Sequence, residues 1–307
     1  MIARALPKLS RKPPGPRIAL SPSSWGVSDV PGWGHQLDAE RVLSEAAAVG
    51  EGAIEAGPPG FLPDRSDLTN PMLKRHRLRV VAGPAQAILH HHDIGGAELA
   101  QLDGHASWLS ALGAETLVLS AMPPRSSSEA HGIVLSSTGW AQLLHLIGSV
   151  QHVCSRHKLR LAVMPRYGSM IQGPSDIERL LVGTEAALCI DIGQLVLVGA
   201  DPVEVLELAA GRIQHVHLND IDESVAVKVR EYGYDYAEAV SKNLFKPLGT
   251  GDAGVDRVVE TLRRTGYKGW YALAQDTRLP SADDRPLGVI SRSLQHLRDL
   301  LASPVPA

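Results

Sequence analysis

Cysteine is scarce in this chain of 307 residues: Cys154 and Cys189 are the only two, too few for a disulfide framework or an all-cysteine zinc cage. That scarcity leads us to expect a reducing, cytoplasmic setting. No run approaches the roughly 20 consecutive apolar residues that a membrane helix needs. Neither sign of charge dominates. A net charge of −3 with 21% charged residues argues against disorder and gives no reason to expect nucleic acid as a partner. A glycine-rich phosphate cradle is missing too, because the first β-like run, "RIALS", is followed by "SPSSWG". The opening stretch "MIARALPKLSRKPPGPR" sets Arg4, Lys8, Arg11, Lys12 and Arg17 among prolines and lacks the apolar centre of a signal peptide. Residues 1–16 are therefore expected to be a basic, disordered tail.

What the sequence does have is alternation. A hydrophobic share of 44% is enough for a sizeable core. Short β-rich runs ("RIALS", "GAIEAG", "LRVVAG", "ETLVLSAM", "LRLAVM", "AALCIDIG", "IQHVHLND", "WYALAQD") are separated mostly by helix-period runs such as "LDAERVLSEAAAVG" and "VDRVVETLRRTG", closed by Gly50 and Gly266. In "SDIERLLVG", Ser175 with Glu178 three residues on predicts a capping box. Eight strands alternating with helices predict a parallel sheet closed into a single (β/α)8 TIM barrel over residues 17–302. An open doubly wound sheet is the rival, and the missing fingerprint counts against it. One small-molecule site, rather than a membrane or nucleic-acid surface, is the expected partner.

In such barrels chemistry sits at the carboxyl ends of the strands. That rule selects Glu55, Met122, Met164 to Tyr167, Asp191, Gln194, His215, His217, Asn219, Asp220, Gln275 and Asp276. His215 and His217 are two apart on one strand and share a face. His217 reads as a metal ligand or proton-transfer group, against a hydrogen-bonded core histidine. His215, one layer deeper, reads as structural, with a substrate-binding role as the sharper alternative. Asp191 either binds ligand or anchors a histidine, and its carboxylate with the His217 imidazole suits zinc, manganese or cobalt. Glu55 is a spare carboxylate that can act as a base. Trp25, Gln194, Lys246 and Gln275 are candidate substrate contacts, Lys246 against the blander reading of an exposed lysine. The tract His90 to His92 reads as a surface or rim loop, because consecutive side chains alternate direction.

The stretches "ALCIDIGQLVLVGADPVEVL", "GRIQHVHLND", "KVREYGYDYAEAVSKNLFKPLGTGDAGVD", "GYKGWYALAQD" and "DVPGWGHQLDAERVLSEAAAVGEGAIEAG" resemble the inosose dehydratases, within the xylose-isomerase-like barrels. The resemblance covers about residues 17 to 300. It implies a sugar or cyclitol isomerase, epimerase or dehydratase with one divalent metal held by two carboxylates, an Asp and a His, and a possible homo-oligomer. By position, Asp191 and His217 match two of those ligands, while the other two fall at Met164 and Ala274. The family's "Asp-x-Gly-His" reads Asp191-Ile-Gly-Gln194, and its histidine run after the fifth strand reads Met164-Pro165-Arg166-Tyr167. A thioether is a poor partner for a hard cation and a methyl group is none. The expectation is an incomplete site holding no metal, or manganese, cobalt or zinc weakly. Arg166 can fill the vacated cation position, pairing with Asp191 or gripping a substrate carboxylate or phosphate, against a merely solvated loop arginine. Three functions stay open: an enzyme of that lineage, a non-catalytic protein binding a sugar-like ligand or protein partner, and a repurposed metal-independent biosynthetic enzyme.

Overall fold

The computed structural model describes residues 15–91, 95–124 and 134–304; residues 1–14 of the basic tail and His92 lie outside them. Eight parallel strands close a barrel: β1 (Arg17–Leu20), β2 (Ala53–Glu55), β3 (Arg79–Ala87), β4 (Thr116–Ala121), β5 (Arg160–Val163), β6 (Ala187–Asp191), β7 (Ile213–Leu218) and, after the short antiparallel pair β8 (Asp220–Ile221) and β9 (Phe245–Lys246), β10 (Trp270–Leu273). Around the barrel the order is β1, β10, β7, β6, β5, β4, β3, β2. None of the described helices is long and apolar enough to cross a membrane.

Period-2 and period-3.6 patterning explain why these elements form. The helix Val255–Arg264 buries Val255, Val258, Val259 and Leu262, the i, i+3, i+4, i+7 stripe of one face. Each such side chain, fully buried, stabilises the fold by roughly 1.5–3 kcal/mol. Inside the barrel the side chains are small: Ala19, Ala53, Ala162 and Ala272 line it with Val118, Cys189 and Trp270. These alanines leave room for the larger inward residues of β7. At the amino-terminal end Trp270 plugs the barrel, with the guanidinium groups of Arg17 and Arg79 at 4.1 and 4.6 Å from its ring centre. Glu115 accepts from Arg17 and holds it there.

Two local expectations are corrected. The helix expected to open at Ser175 begins one residue earlier, at Pro174, with Gly173 as its cap, so the capping box does not form. Proline is favoured at the first helical position, and Asp176 reaches back instead to accept from the Gln172 N–H at 3.0 Å. A helix at Ser66–Arg75 was not signalled by the sequence, since Pro71 lies inside it and only Thr69 and Leu73 are buried. The third strand also runs on past Gly83 through Pro84 to Ala87.

Candidate functional site

β7 turns His215 and His217 inward, as their spacing predicts. In register, His217 lies beside Asp191 of β6 and Ala272 of β10, and His215 beside Cys189 and Trp270. Glu55, the last residue of β2, comes across the barrel to meet both. The Nε2 atoms of His215 and His217 each lie 2.8 Å from the same Glu55 Oε1. The other nitrogen of His217, Nδ1, is 3.2 Å from Asp191 Oδ2. A buried chain therefore runs His215, Glu55, His217, Asp191.

The loops after the strands fix the far end of that chain. Asp191 caps the short helix Ile192–Leu197, its Oδ1 accepting from the Gln194 N–H at 3.0 Å and from Asn219 Nδ2 at 2.9 Å. Asn219 also donates to the Ala274 carbonyl at 2.9 Å and accepts from the Gly193 N–H at 2.6 Å. Gly193 has to be glycine for this approach, because a Cβ there would sit 2.7 Å from Asn219 Oδ1 and 2.8 Å from the Phe245 ring. One asparagine thus ties the ends of β6, β7 and β10 together.

Burial and mutual charge set the protonation of the chain. Burial alone would raise the Glu55 carboxyl, but the His217 charge and the hydrogen bonds from both histidines outweigh it and hold Glu55 well below its ordinary range. Burial would likewise lower His217; the adjoining Cys189 sulfur, the Glu55 carboxylate and the bond to Asp191 outweigh it and hold the imidazole well above its ordinary value. His217 lies between two carboxyl groups, a setting that favours its protonated form. For His215 burial wins and keeps it neutral. It donates from Nε2 to Glu55, which leaves its buried Nδ1 without a partner among the described residues.

Above this chain a cavity of about 140 Å³ opens at the carboxyl end of the barrel. Glu55, Asp191 and His217 contribute to its lining with Met164, Ala274 and, toward the rim, Arg166, Gln194, Tyr236, Asp276 and Trp33. Tyr236 comes from the insertion between β7 and β10. Its hydroxyl donates to Asp276 Oδ2 at 2.7 Å and accepts from Gln194 Nε2 at 2.8 Å, and its ring stacks 6.0 Å from that of Trp33. Burial, together with the Asp276 charge, raises the Tyr236 hydroxyl well above its ordinary value. Burial also raises the Asp276 carboxyl.

The cavity gathers Glu55, Asp191, His217, Arg166 and Gln194 of the expected residues, with His215 one layer below. It does not gather three others. Trp25 is fully buried against the helix Ala39–Ala48, its indole N–H donating to Glu45 at 2.9 Å, because the turn after β1 packs it outward from the barrel axis. Lys246 stands on β9, beside the antiparallel β8, and pairs with Asp222 at 3.0 Å. Gln275 faces a separate depression beside Leu279 and Pro286. Arg166 forms no ion pair with Asp191; both Asp191 oxygens are taken by His217, Asn219 and Gln194. Asp220 is structural: it accepts from the N–H groups of Ile221, Gly249, Gly251 and Ala253 and so pins the loop before the helix Val255–Arg264. Tyr236 was missed in the sequence; the tyrosine-rich "YGYDY" of the insertion is the signal that marks it.

Of the four positions that the resemblance assigns to a divalent cation, Asp191 and His217 carry donors, while Met164 and Ala274 bring a thioether and a methyl to the same cavity. A second group of ligand types, Glu55, His215 and His217, offers three atoms within 4.8 Å of one another.

Barrel, strand-end site and chain order together define a xylose isomerase-like TIM barrel: the model of that family matches residues 43–300, and the chain belongs to it. Among its relatives, an inosose dehydratase of Geobacillus kaustophilus is 28% identical over 83% of this chain and 85% of its own. An L-ribulose 3-epimerase structure shares the fold with a TM-score of 0.70 at 13% identity, over 93% of this chain and 94% of that one. The IolI protein, solved with a bound zinc atom, has a TM-score of 0.68 at 13% identity, over 93% and 98%.

Proposed function

We propose that this protein is an isomerase, epimerase or dehydratase acting on a polyhydroxylated ring or keto-sugar-like small molecule, and that its own imidazolium does the work of a metal cage that is no longer complete. The carrying observation is His217, buried and bridging the Glu55 and Asp191 carboxylates under the cavity, a setting that favours its charged form. The names of the relatives, an inosose dehydratase and an epimerase, support proton transfer beside a carbonyl.

In this reading Asp191 takes the proton next to the substrate carbonyl, since its contact with His217 is the longest of the chain at 3.2 Å. Negative charge then appears on the carbonyl oxygen, and the His217 cation beneath it stabilises that charge from a buried position. Glu55 keeps His217 protonated and fixes its ring. Gln194 and Arg166 bind substrate at the rim. Met164 and Ala274 offer a divalent cation nothing at two of four corners, so the residues present do not fit the cage that the resemblance implies.

Solvent deuterium exchange into inosose, with and without chelator, tests this. Exchange that survives chelation and falls by about 100-fold or more in His217→Gln is the expected result. Exchange abolished by chelation and restored by one divalent metal would falsify it. A second reading, a cation held by Glu55, His215 and His217, draws on the proximity of their ligand atoms and on the zinc atom of the IolI structure. Stoichiometric zinc in protein purified without chelator, lost in His215→Ala, would favour that alternative.

A further inference from the structure

Arg166 is held in place by its backbone, and its charge acts on Asp276 across the cavity. Its backbone N–H donates to the Ile171 carbonyl at 3.1 Å, and its own carbonyl accepts from the Ser169 N–H and hydroxyl at 3.1 and 2.9 Å. The guanidinium reaches the cavity, yet its Nε is buried with no hydrogen-bond partner among the described residues. The carboxylates nearby are already supplied by other donors. Asp276 accepts from the Tyr236 hydroxyl and feels the Arg166 charge without bonding to it, and Asp191 accepts from Asn219, Gln194 and His217. A buried, unpaired guanidinium N–H is costly, and such groups in folded proteins have a reason.

We infer that Arg166 anchors a carboxylate carried by the substrate, so that the ligand class is a polyhydroxylated acid rather than a neutral cyclitol or sugar. This rests on the cavity being the substrate site, as read above, and narrows what enters it. The planar guanidinium fork matches a carboxylate in two parallel hydrogen bonds. A phosphate is the poorer fit, because its second charge would meet Glu55, Asp191 and Asp276 around the same small space. A neutral hydroxyl fits less well again, since it satisfies one N–H and brings no opposite charge.

Calorimetric titration of the full chain with matched pairs tests the inference: quinate against myo-inositol, glucuronate against glucose, and glucose 6-phosphate as the phosphate arm. Each acid is expected to bind about tenfold or more tightly than its neutral partner, the usual range for hydrogen bonds to a charged group. Arg166→Gln should erase that preference. Arg166→Lys, which keeps the charge and loses the fork, should narrow the preference for the acids without erasing it; circular dichroism checks that both variants fold. Equal binding of acid and neutral partner, no acid binding at all, or tighter binding of the phosphate ester would each overturn the inference. The two readings fail separately: an Arg166-dependent acid preference without deuterium exchange removes the proton-transfer proposal alone, and exchange into neutral inosose without acid preference removes only the anchor.

Discussion

At the residue scale the pivotal feature is one carboxylate oxygen shared by two imidazoles. Glu55 Oε1 stands 2.8 Å from both Nε2 atoms, and the surroundings shift the two rings in opposite directions, His217 up and His215 down. The arrangement has a consequence for acid stability. Glu55 is lowered from its ordinary 4.5, so its contribution is complete above that value and is lost as pH falls through the lowered one. His217 is raised above its ordinary 6.5, so its contribution is complete below 6.5 and fades as pH climbs through the raised value. The pair therefore contributes most between about 4.5 and 6.5. Glu55→Gln leaves the charge of His217 partly uncompensated and should destabilise the protein by ~3–5 kcal/mol. Urea unfolding across this pH window would show the loss, and an unchanged profile in the variant would mean that the chain of bonds carries little energy.

At the element scale the insertion between β7 and β10 builds part of the site. It donates Tyr236, whose hydroxyl joins Gln194 after β6 to Asp276 after β10. Removing that hydroxyl in Tyr236→Phe breaks two bonds at once, a loss of about 1–3 kcal/mol at 0.5–1.5 for each. Amide hydrogen exchange should then quicken in the helix Tyr236–Ser241 before it does in the barrel strands; uniform protection would show the insertion to be held by its apolar contacts alone. The first turn of the helix Ile192–Leu197 makes a sharper demand. Gly193→Ala forces a Cβ against Asn219 and Phe245, and a cost of ~1–3 kcal/mol in thermal or urea unfolding is expected for such overpacking.

At the scale of the whole molecule, the barrel is closed at one end and chemically furnished at the other. Trp270 under Arg17 and Arg79 fills the amino-terminal end of the barrel interior, and the Glu55–His217–Asp191 chain lies at the carboxyl end. If the site works without a metal cage, stability owes nothing to a bound ion. Dialysis against chelator should then leave the unfolding midpoint within about 1 °C, whereas an ion present at 100 times its Kd contributes ~2.7 kcal/mol and its removal would be plain. A large drop on chelation, reversed by one metal, would refute the metal-free reading at this scale.

Much of this could be read from the amino acids alone, and the physical reason is locality. Strand and helix periods repeat within a few residues, so the eight strands, their closure and the strand-end positions of Asp191 and His217 were legible, as was the shared face of His215 and His217. The capping of the helix at Gly173, the helix around Pro71 and the course of β3 beyond Gly83 were not, because proline reads as a breaker wherever it falls.

What only the tertiary structure decided is who meets whom across the barrel. Glu55 lies 160 and 162 residues from the two histidines it joins, and no periodic pattern spans such a distance. Asp220 looked like a mouth carboxylate and instead gathers four backbone N–H groups; Lys246 and Trp25 found partners elsewhere. The sequence determined which side chains could face inward. Closure of the sheet, which brings distant strand ends within hydrogen-bonding reach, decided which of them touch.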